Sequence, residues 1–196
     1  TVTIASSDAD NTICEGDQVT FTASPAGYTT YNFFNNSNQA QSTASETYTT
    51  VNLTAPTSTV YVVAVNNGCS SAPSSNIVTT VNASPSITVA ASPNPSCAGD
   101  NVTVTASPNG LDNYDFTVNG TSVQNNTTNT YSSATFNSGD VVSVSGSLNG
   151  CPGQAATPVT ITVNPIPSVT LTSSDANDSI CQGETITFTA APAGMN

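Results

Sequence analysis

The 196-residue sequence contains no lysine, arginine, histidine or tryptophan, while Asp and Glu total 12, for a formal net charge of −12. Charged residues usually make up about a quarter of a chain; here they are 6%. Phosphate contacts need Lys or Arg, so nucleic acid and anionic membrane surfaces are excluded as partners. Side chains cannot pair as ions, so any fixed counter-charge must be a metal ion, a solvent cation or another molecule. Trypsin-like proteases find no cleavage site. Without His or a close Cys pair, a zinc site lacks ligands. Long hydrophobic runs are missing too. The longest, Val60–Val65, falls far short of the roughly 20 residues a membrane helix needs. No signal-peptide pattern is present.

What is there is repetition. Ser6–Gly27 reads SSDADNTICEGDQVTFTASPAG and Ser173–Gly194 reads SSDANDSICQGETITFTAAPAG, with 14 of 22 positions identical. A more divergent copy, ASPNPSCAGDNVTVTASPNG, occupies Ala91–Gly110, so Cys14, Cys97 and Cys181 lie 83 and 84 residues apart. Asn-Gly-Cys occurs at Asn67–Cys69 and again at Asn149–Cys151, 82 residues later. A fixed period of this size marks a tandem array. It divides the chain into residues 1–83, residues 84–166 and the opening of a third unit, 167–196. The chain reads as an internal piece of a longer protein.

Within each unit the hydrophobic period is two. Val19-Thr-Phe21-Thr-Ala23, Val102-Thr-Val104-Thr-Ala106 and Ile186-Thr-Phe188-Thr-Ala190 alternate apolar residues with threonine, the pattern of a half-buried strand. Tyr31-Asn-Phe33 and Tyr114-Asp-Phe116 fit the opposing sheet. Alignment of Val60, Val62 and Ala64 with Val142, Val144 and Gly146 assigns them to the core. The intervening Tyr61 and Val63 align with Ser143 and Ser145 and belong outside. Turn residues punctuate the strands, no helical period appears, and Pro-containing linkers (Asn82–Pro85, Asn164–Pro167) follow each unit. The expected fold is all-β: tandem immunoglobulin-like β-sandwiches in an elongated array, without the Trp marker of antibody domains. The Thr-x-Thr runs are outward β-formers and not an ice-binding ladder, whose rungs need a shorter period.

Small all-β units with cysteines in register suit disulfide bonding in an extracellular setting. Two pairings are open. The expected one closes each unit, Cys14–Cys69 and Cys97–Cys151, with the partner of Cys181 outside the fragment. The alternative joins Cys14 to Cys151 across the joint, because the turns before the second strand and after the sixth lie at opposite ends of a sandwich.

The pattern Ile-Cys-x-Gly-[Asp/Glu]-x-[Val/Ile]-Thr-[Phe/Val]-Thr-Ala, followed by a Val-rich strand and Asn-Gly-Cys, resembles the tandem Ig-like or PKD-like repeats of Bacteroidota surface proteins. SprB-type gliding-motility adhesins are the nearest picture. The resemblance implies type IX secretion, an outer-membrane-associated position at the cell surface and a role in adhesion or a filament. It also implies a protein that is not an enzyme. Asp178-Ser179-Ile180 matches the O-glycosylation tripeptide of these bacteria, which makes Ser179 a candidate modification site.

Other candidate sites are few. Asp8, Asp10, Glu15 and Asp17 precede the second strand, with Asp175, Asp178 and Glu184 at the third copy, and oxygen ligands so gathered suit Ca²⁺. The alternative is a solvated acidic loop whose carboxylates cap turns. Tyr28, Tyr31, Tyr61 and Phe34 are candidates for a sugar-stacking platform, but the repeated Tyr31 and Phe33 belong to the core. All acidic residues are read as turn or loop residues, with no nucleophile, base and orienter set for catalysis. Sequons such as Asn52-Leu-Thr54 follow from an Asn- and Thr-rich composition. The expected function is a structural stalk of a cell-surface adhesin, with carbohydrate-binding repeats as the alternative. The expected partners are neighbouring repeats of the same chain, surface glycans or other filament subunits.

Overall fold

A computed structural model describes residues 1–177 and 179–192, which form 21 strands and no helix. Among them no helix is long and apolar enough to cross a membrane. The first unit contributes β1 (Thr3–Ser6), β2 (Thr12–Cys14), β3 (Val19–Ser24), β4 (Thr30–Asn35) and β5 (Asn38–Thr43). It continues with β6 (Thr47–Thr50), β7 (Thr57–Asn66), β8 (Cys69–Ser70) and β9 (Ile77–Asn82). One sheet has the order β1-β3-β6; the facing sheet has the order β2-β9-β7-β4-β5, with β8 paired to β7. The opening segment therefore serves both sheets. β1 is antiparallel to β3, and after the Ser-Asp turn β2 crosses over to run parallel to β9. That crossover carries Cys14 to the far end of the sandwich.

The core follows from the alternation. Val19, Phe21 and Ala23 of β3 and Tyr31 and Phe33 of β4 are buried, as are Val60, Val62 and Ala64 of β7. Tyr61 and Val63 sit half-buried on the outer face. Each fully buried side chain contributes about 1.5–3 kcal/mol of transfer free energy. Tyr31 occupies a fully buried position on β4. Its hydroxyl donates to the Pro25 carbonyl at 2.8 Å and accepts from the Tyr28 amide at 3.2 Å, so the one polar atom of the ring is satisfied. Tyr114 repeats the arrangement with Pro108 and Leu111.

The second unit has β10 (Thr88–Ser92), β11 (Ser96–Cys97), β12 (Val102–Ser107), β13 (Asn113–Val118) and β14 (Thr121–Asn126). Then come β15 (Thr130–Ser133), β16 (Val141–Leu148), β17 (Cys151–Pro152), β18 (Val159–Thr160) and β19 (Val163–Asn164). The β10-β12-β15 sheet faces β14-β13-β16-β17, with β18 on β16, while β11 and β19 form a separate parallel pair. Its core is a cluster of its own, centred on Val102, Val104, Tyr114, Phe116, Val142 and Val144. At the third copy β20 (Thr170–Ser173) pairs with β21 (Phe188–Ala191), leaving Leu171 and Phe188 exposed.

The pairing of β11 with β19 is short for a local reason. In the first unit the Asn11 carbonyl accepts from the Thr80 amide at 2.8 Å, while the amide of Thr12, at the position of Pro95, turns away to Asp10. In the second unit the Asn94 side chain takes over: its amide donates to the Thr160 carbonyl and its oxygen accepts from the Thr162 amide, both at 2.9 Å. A side-chain amide thus replaces a peptide group at this edge.

Candidate functional site: the joint between two sandwiches

Cys14 ends β2, and Cys151 opens β17 just past the Asn149-Gly150 turn. Their sulfurs are bonded, with the Cα atoms 5.5 Å apart, across a sequence separation of 137 residues. Cys151 is 1% exposed. Cys69, Cys97 and Cys181 are free and exposed.

The expected within-unit pairs, Cys14–Cys69 and Cys97–Cys151, are corrected by this bond, and strand direction is the reason. Cys14 lies level with Asn82 of β9, and β9 pairs with the beginning of β7 through Thr80 and Thr57. Cys69 pairs with Asn66 at the other end of β7. Ten residues of strand separate the two ends, roughly 30 Å at about 3.3 Å per residue, whereas a disulfide needs Cα atoms within about 7 Å. In the second unit Cys97 is level with Asn164 and Cys151 with Leu148, again at opposite ends. What the fold does bring together is the lower end of one sandwich and the upper end of the next.

The joint has further ties. Asn82 Nδ2 donates to the Asn149 carbonyl at 3.4 Å, and the Glu15 amide donates to the Asn82 carbonyl at 2.9 Å. The linker residue Pro85 accepts a hydrogen bond from the Gln154 amide at 3.1 Å. Gly153 lets this approach happen: a Cβ there would lie 2.7 Å from the Pro85 carbonyl oxygen and 2.8 Å from Ile87 Cδ1. Gly153 did not stand out in the sequence, and Asn82 did only as the start of a linker. Asn149 did, as part of the Asn-Gly-Cys landmark.

The acidic residues beside Cys14 serve the backbone. Asp17 Oδ2 accepts from the Cys14 amide at 3.0 Å, closing a turn, and Asp10 Oδ1 accepts from the Thr12 amide at 3.1 Å. Asp8 leaves one buried oxygen without a partner. Asp8, Asp10, Glu15 and Asp17 do not converge: among the described residues no group of three or more Cys, Asp or Glu side chains is placed to hold a metal ion. At the third copy the Ser179 amide donates to Asp175 Oδ2 at 2.7 Å, and Glu184 Oε2 caps the Cys181 amide. The candidate glycosylation residue Ser179 is exposed, while Asp178 of its tripeptide lies outside the described residues. Asp115, read as a turn or loop residue, lies on β13 and accepts from the Ser122 hydroxyl. Asp140 caps the Asn137 amide at 2.8 Å and accepts from Asn119 Nδ2, also at 2.8 Å. These bonds, the backbone one first, hold its carboxyl below the usual value of 3.8.

The proposed aromatic platform is dispersed. Tyr31 is in the core, Tyr28 packs edge-on against it, and Phe34 stacks on Tyr61 with centroids 4.8 Å apart on the outer face. A separate open groove in the first unit is lined by Asn35, Asn36, Asn38, Tyr48, Asn52 and Thr54. Asn35 Oδ1 is buried there without a hydrogen-bond partner.

Residues 2–83 match the family model described as "Ig-like domain CHU_C associated". The fold is a tandem Ig-like β-sandwich. A search of curated proteins finds no match to the chain. Among solved structures, fibronectin(III)-like modules of Clostridium thermocellum CbhA are similar at 18% identity, over 83% of this chain and 95% of that one, with a TM-score of 0.38. Murine CEACAM1b is similar at 10% identity over 84% of this chain and 100% of that one (TM-score 0.41). The mouse nectin-like molecule 4 ectodomain matches at 13% over 85% and 65% (TM-score 0.39). At such identities and scores the likeness says nothing of ligand or partner.

Proposed function

We propose that this chain is a structural spacer of an extracellular surface protein, in which successive Ig-like sandwiches are locked to one another at their joints. The observation that carries the reading is the Cys14–Cys151 bond, which ties two separate cores instead of bracing one. A disulfide inside a unit supports folding; one between units fixes their relative placement, which matters only if that placement matters. The linker held at Gly153 and the Asn82–Asn149 contact support the same role. Units that touch only their neighbours let length grow with copy number. A surface with 12 acids and no bases keeps such an array soluble and self-repelling. The finer reading, a stalk of an SprB-type adhesin exported by type IX secretion, rests on the repeat pattern. Small-angle scattering tests the spacer: the oxidised chain is expected to be elongated with one dominant inter-unit arrangement, and reduction to broaden the distribution. A folded-back particle, or one indifferent to reduction, sinks it.

A second reading is favoured by one observation. The groove of the first unit is rich in Asn, and its orphaned Asn35 oxygen has no counterpart in the second unit, where Val118 occupies the position. Amide side chains beside a tyrosine suit a neutral saccharide. Titration calorimetry with neutral oligosaccharides, comparing the natural chain with Asn35→Val, is expected to show heat only for the natural chain. Equal heats, or none from either, remove the reading.

A further inference from the structure

We propose that Cys97 and Cys69 are the two halves of further inter-unit bonds of the Cys14–Cys151 kind, each built to meet another Ig-like unit stacked on its own end of the array. The inference rests on the spacer reading and extends it from one joint to every joint.

The argument is the identity of the bonded and unbonded sites in everything but a neighbour. At Cys14 the backbone amide donates to Asp17 Oδ2 at 3.0 Å, the Asp17 amide returns a bond to the Cys14 carbonyl at 3.0 Å, and Glu15 donates to Asn82 at 2.9 Å. At Cys97 the amide donates to Asp100 Oδ2 at 3.0 Å and the Asp100 amide returns a 3.0 Å bond. Ala98 donates to Asn164 at 2.9 Å. The sulfur is presented by the same turn at the same end of the sandwich. Cys181 repeats the turn with Glu184.

Cys69 matches Cys151 in the same way. Asn67 and Gly68 turn with φ of 47° and 80°, and Asn149 and Gly150 with 51° and 78°. Cys69 pairs with Asn66 as Cys151 pairs with Leu148. One difference stands out: Cys151, with a unit against it, is buried, and Cys69 and Cys97, with none, are exposed. The partner of Cys97 is thus the Asn-Gly-Cys turn of a unit following residue 166. The partner of Cys69 is the Cys-x-Gly-acid turn of a unit preceding it.

The chemistry balances through thiol–disulfide exchange. The Cys97 thiolate attacks one sulfur of oxidised glutathione and releases a glutathione thiolate. The partner thiolate then attacks the mixed disulfide and releases the second. Two protein thiols are oxidised, the two electrons leave on the two glutathione sulfurs, and the two protons the protein thiols lose are taken up by those glutathione thiolates.

The test lengthens the chain by one unit: residues 1–166 followed by residues 85–196, so that a second copy of Cys151 faces Cys97. Both chains are refolded in glutathione redox buffer, alkylated with iodoacetamide and mapped without reduction. In the 196-residue chain Cys97 should be alkylated. In the lengthened chain it should be protected and appear in a peptide bonded to the second copy of Cys151. A Cys97→Ser version should return that second cysteine to the alkylated pool. The Cys14–Cys151 peptide reports correct folding in every sample. An alkylated Cys97 beside an intact Cys14–Cys151 bond overturns the proposal. If the same sample still scatters as an elongated particle, the spacer reading survives that failure.

Discussion

The two complete units share a core and differ at their edges. Val19, Phe21, Tyr31, Phe33, Val60 and Val62 have buried counterparts in Val102, Val104, Tyr114, Phe116, Val142 and Val144, down to the tyrosine hydroxyl on a proline carbonyl. At the rim, the first unit has an unbroken ladder from β2 to β7, whereas in the second the Asn94 side chain bonds Thr160 and Thr162 in place of a backbone group. The groove's Asn35 is replaced by Val118 in the second unit. Divergence is tolerated where side chains meet solvent and suppressed where they meet one another, as close-packed interiors require. The cysteines obey neither rule: their sites are of two repeated kinds, and only the two that face each other across a joint have bonded.

Substitutions in matched pairs can break or sharpen that comparison. Cys151→Ser should have the largest effect, because closing a loop of 137 residues constrains the unfolded chain by about 5 kcal/mol. Its counterpart Cys69→Ser should be silent by chemical denaturation in the 196-residue chain; equal effects would mean that the bond does not form. Phe33→Ala and Phe116→Ala should each cost about 3–5 kcal/mol. Because the two cores are separate clusters, calorimetry should show each lowering only its own unit's transition. A single shared shift would mean that the units melt as one.

Asn94→Ala should destabilise the second unit alone by about 1 kcal/mol and speed amide exchange at Thr162, whose N–H loses its acceptor. The smallest effect is pH-dependent. Asp140 has its pKa lowered in the folded state, so its contribution is complete above the ordinary value of 3.8. That contribution fades as pH falls below 3.8 and through the lowered value. Its counterpart in the first unit is Ser58, which does not titrate. Acid titration followed by calorimetry should therefore show a fall in the second unit's transition that Asp140→Asn diminishes.

The sandwich was legible in the sequence because its cause is local. Alternation along Val19–Ala23 and the alignment of Tyr61 and Val63 with serines assign faces without any knowledge of distant contacts. The cysteine pairing was half legible: the Cys14–Cys151 bond stood as the alternative, and choosing it depends on which end of the sandwich each turn occupies. That is set by β2 crossing between sheets to run parallel to β9, and nothing in Thr12-Ile13-Cys14 announces a crossover. The polar contacts of the joint were missed for a similar reason: Asn82 and Asn149 lie 67 residues apart, and neither belongs to an apolar pattern. Asn94 was hidden in a turn-like Pro-Asn-Pro run, where nothing local announces that its amide stands in for a peptide group.

The position of the disulfide also decides how the chain carries tension. Pulled from its two ends, the load reaches Cys14, crosses through sulfur to Cys151 and bypasses the chain between them. The segment from β3 to β9 of the first sandwich and that from β10 to β16 of the second can unfold without lengthening the molecule, while β1, β2, β18 and β19 lie outside the loop. On the order of 450–490 Å of contour stays in reserve until the bond is reduced. Single-molecule pulling should show those steps only with reductant present. Held this way the segment is a strap and not a spring, and its slack is under redox control.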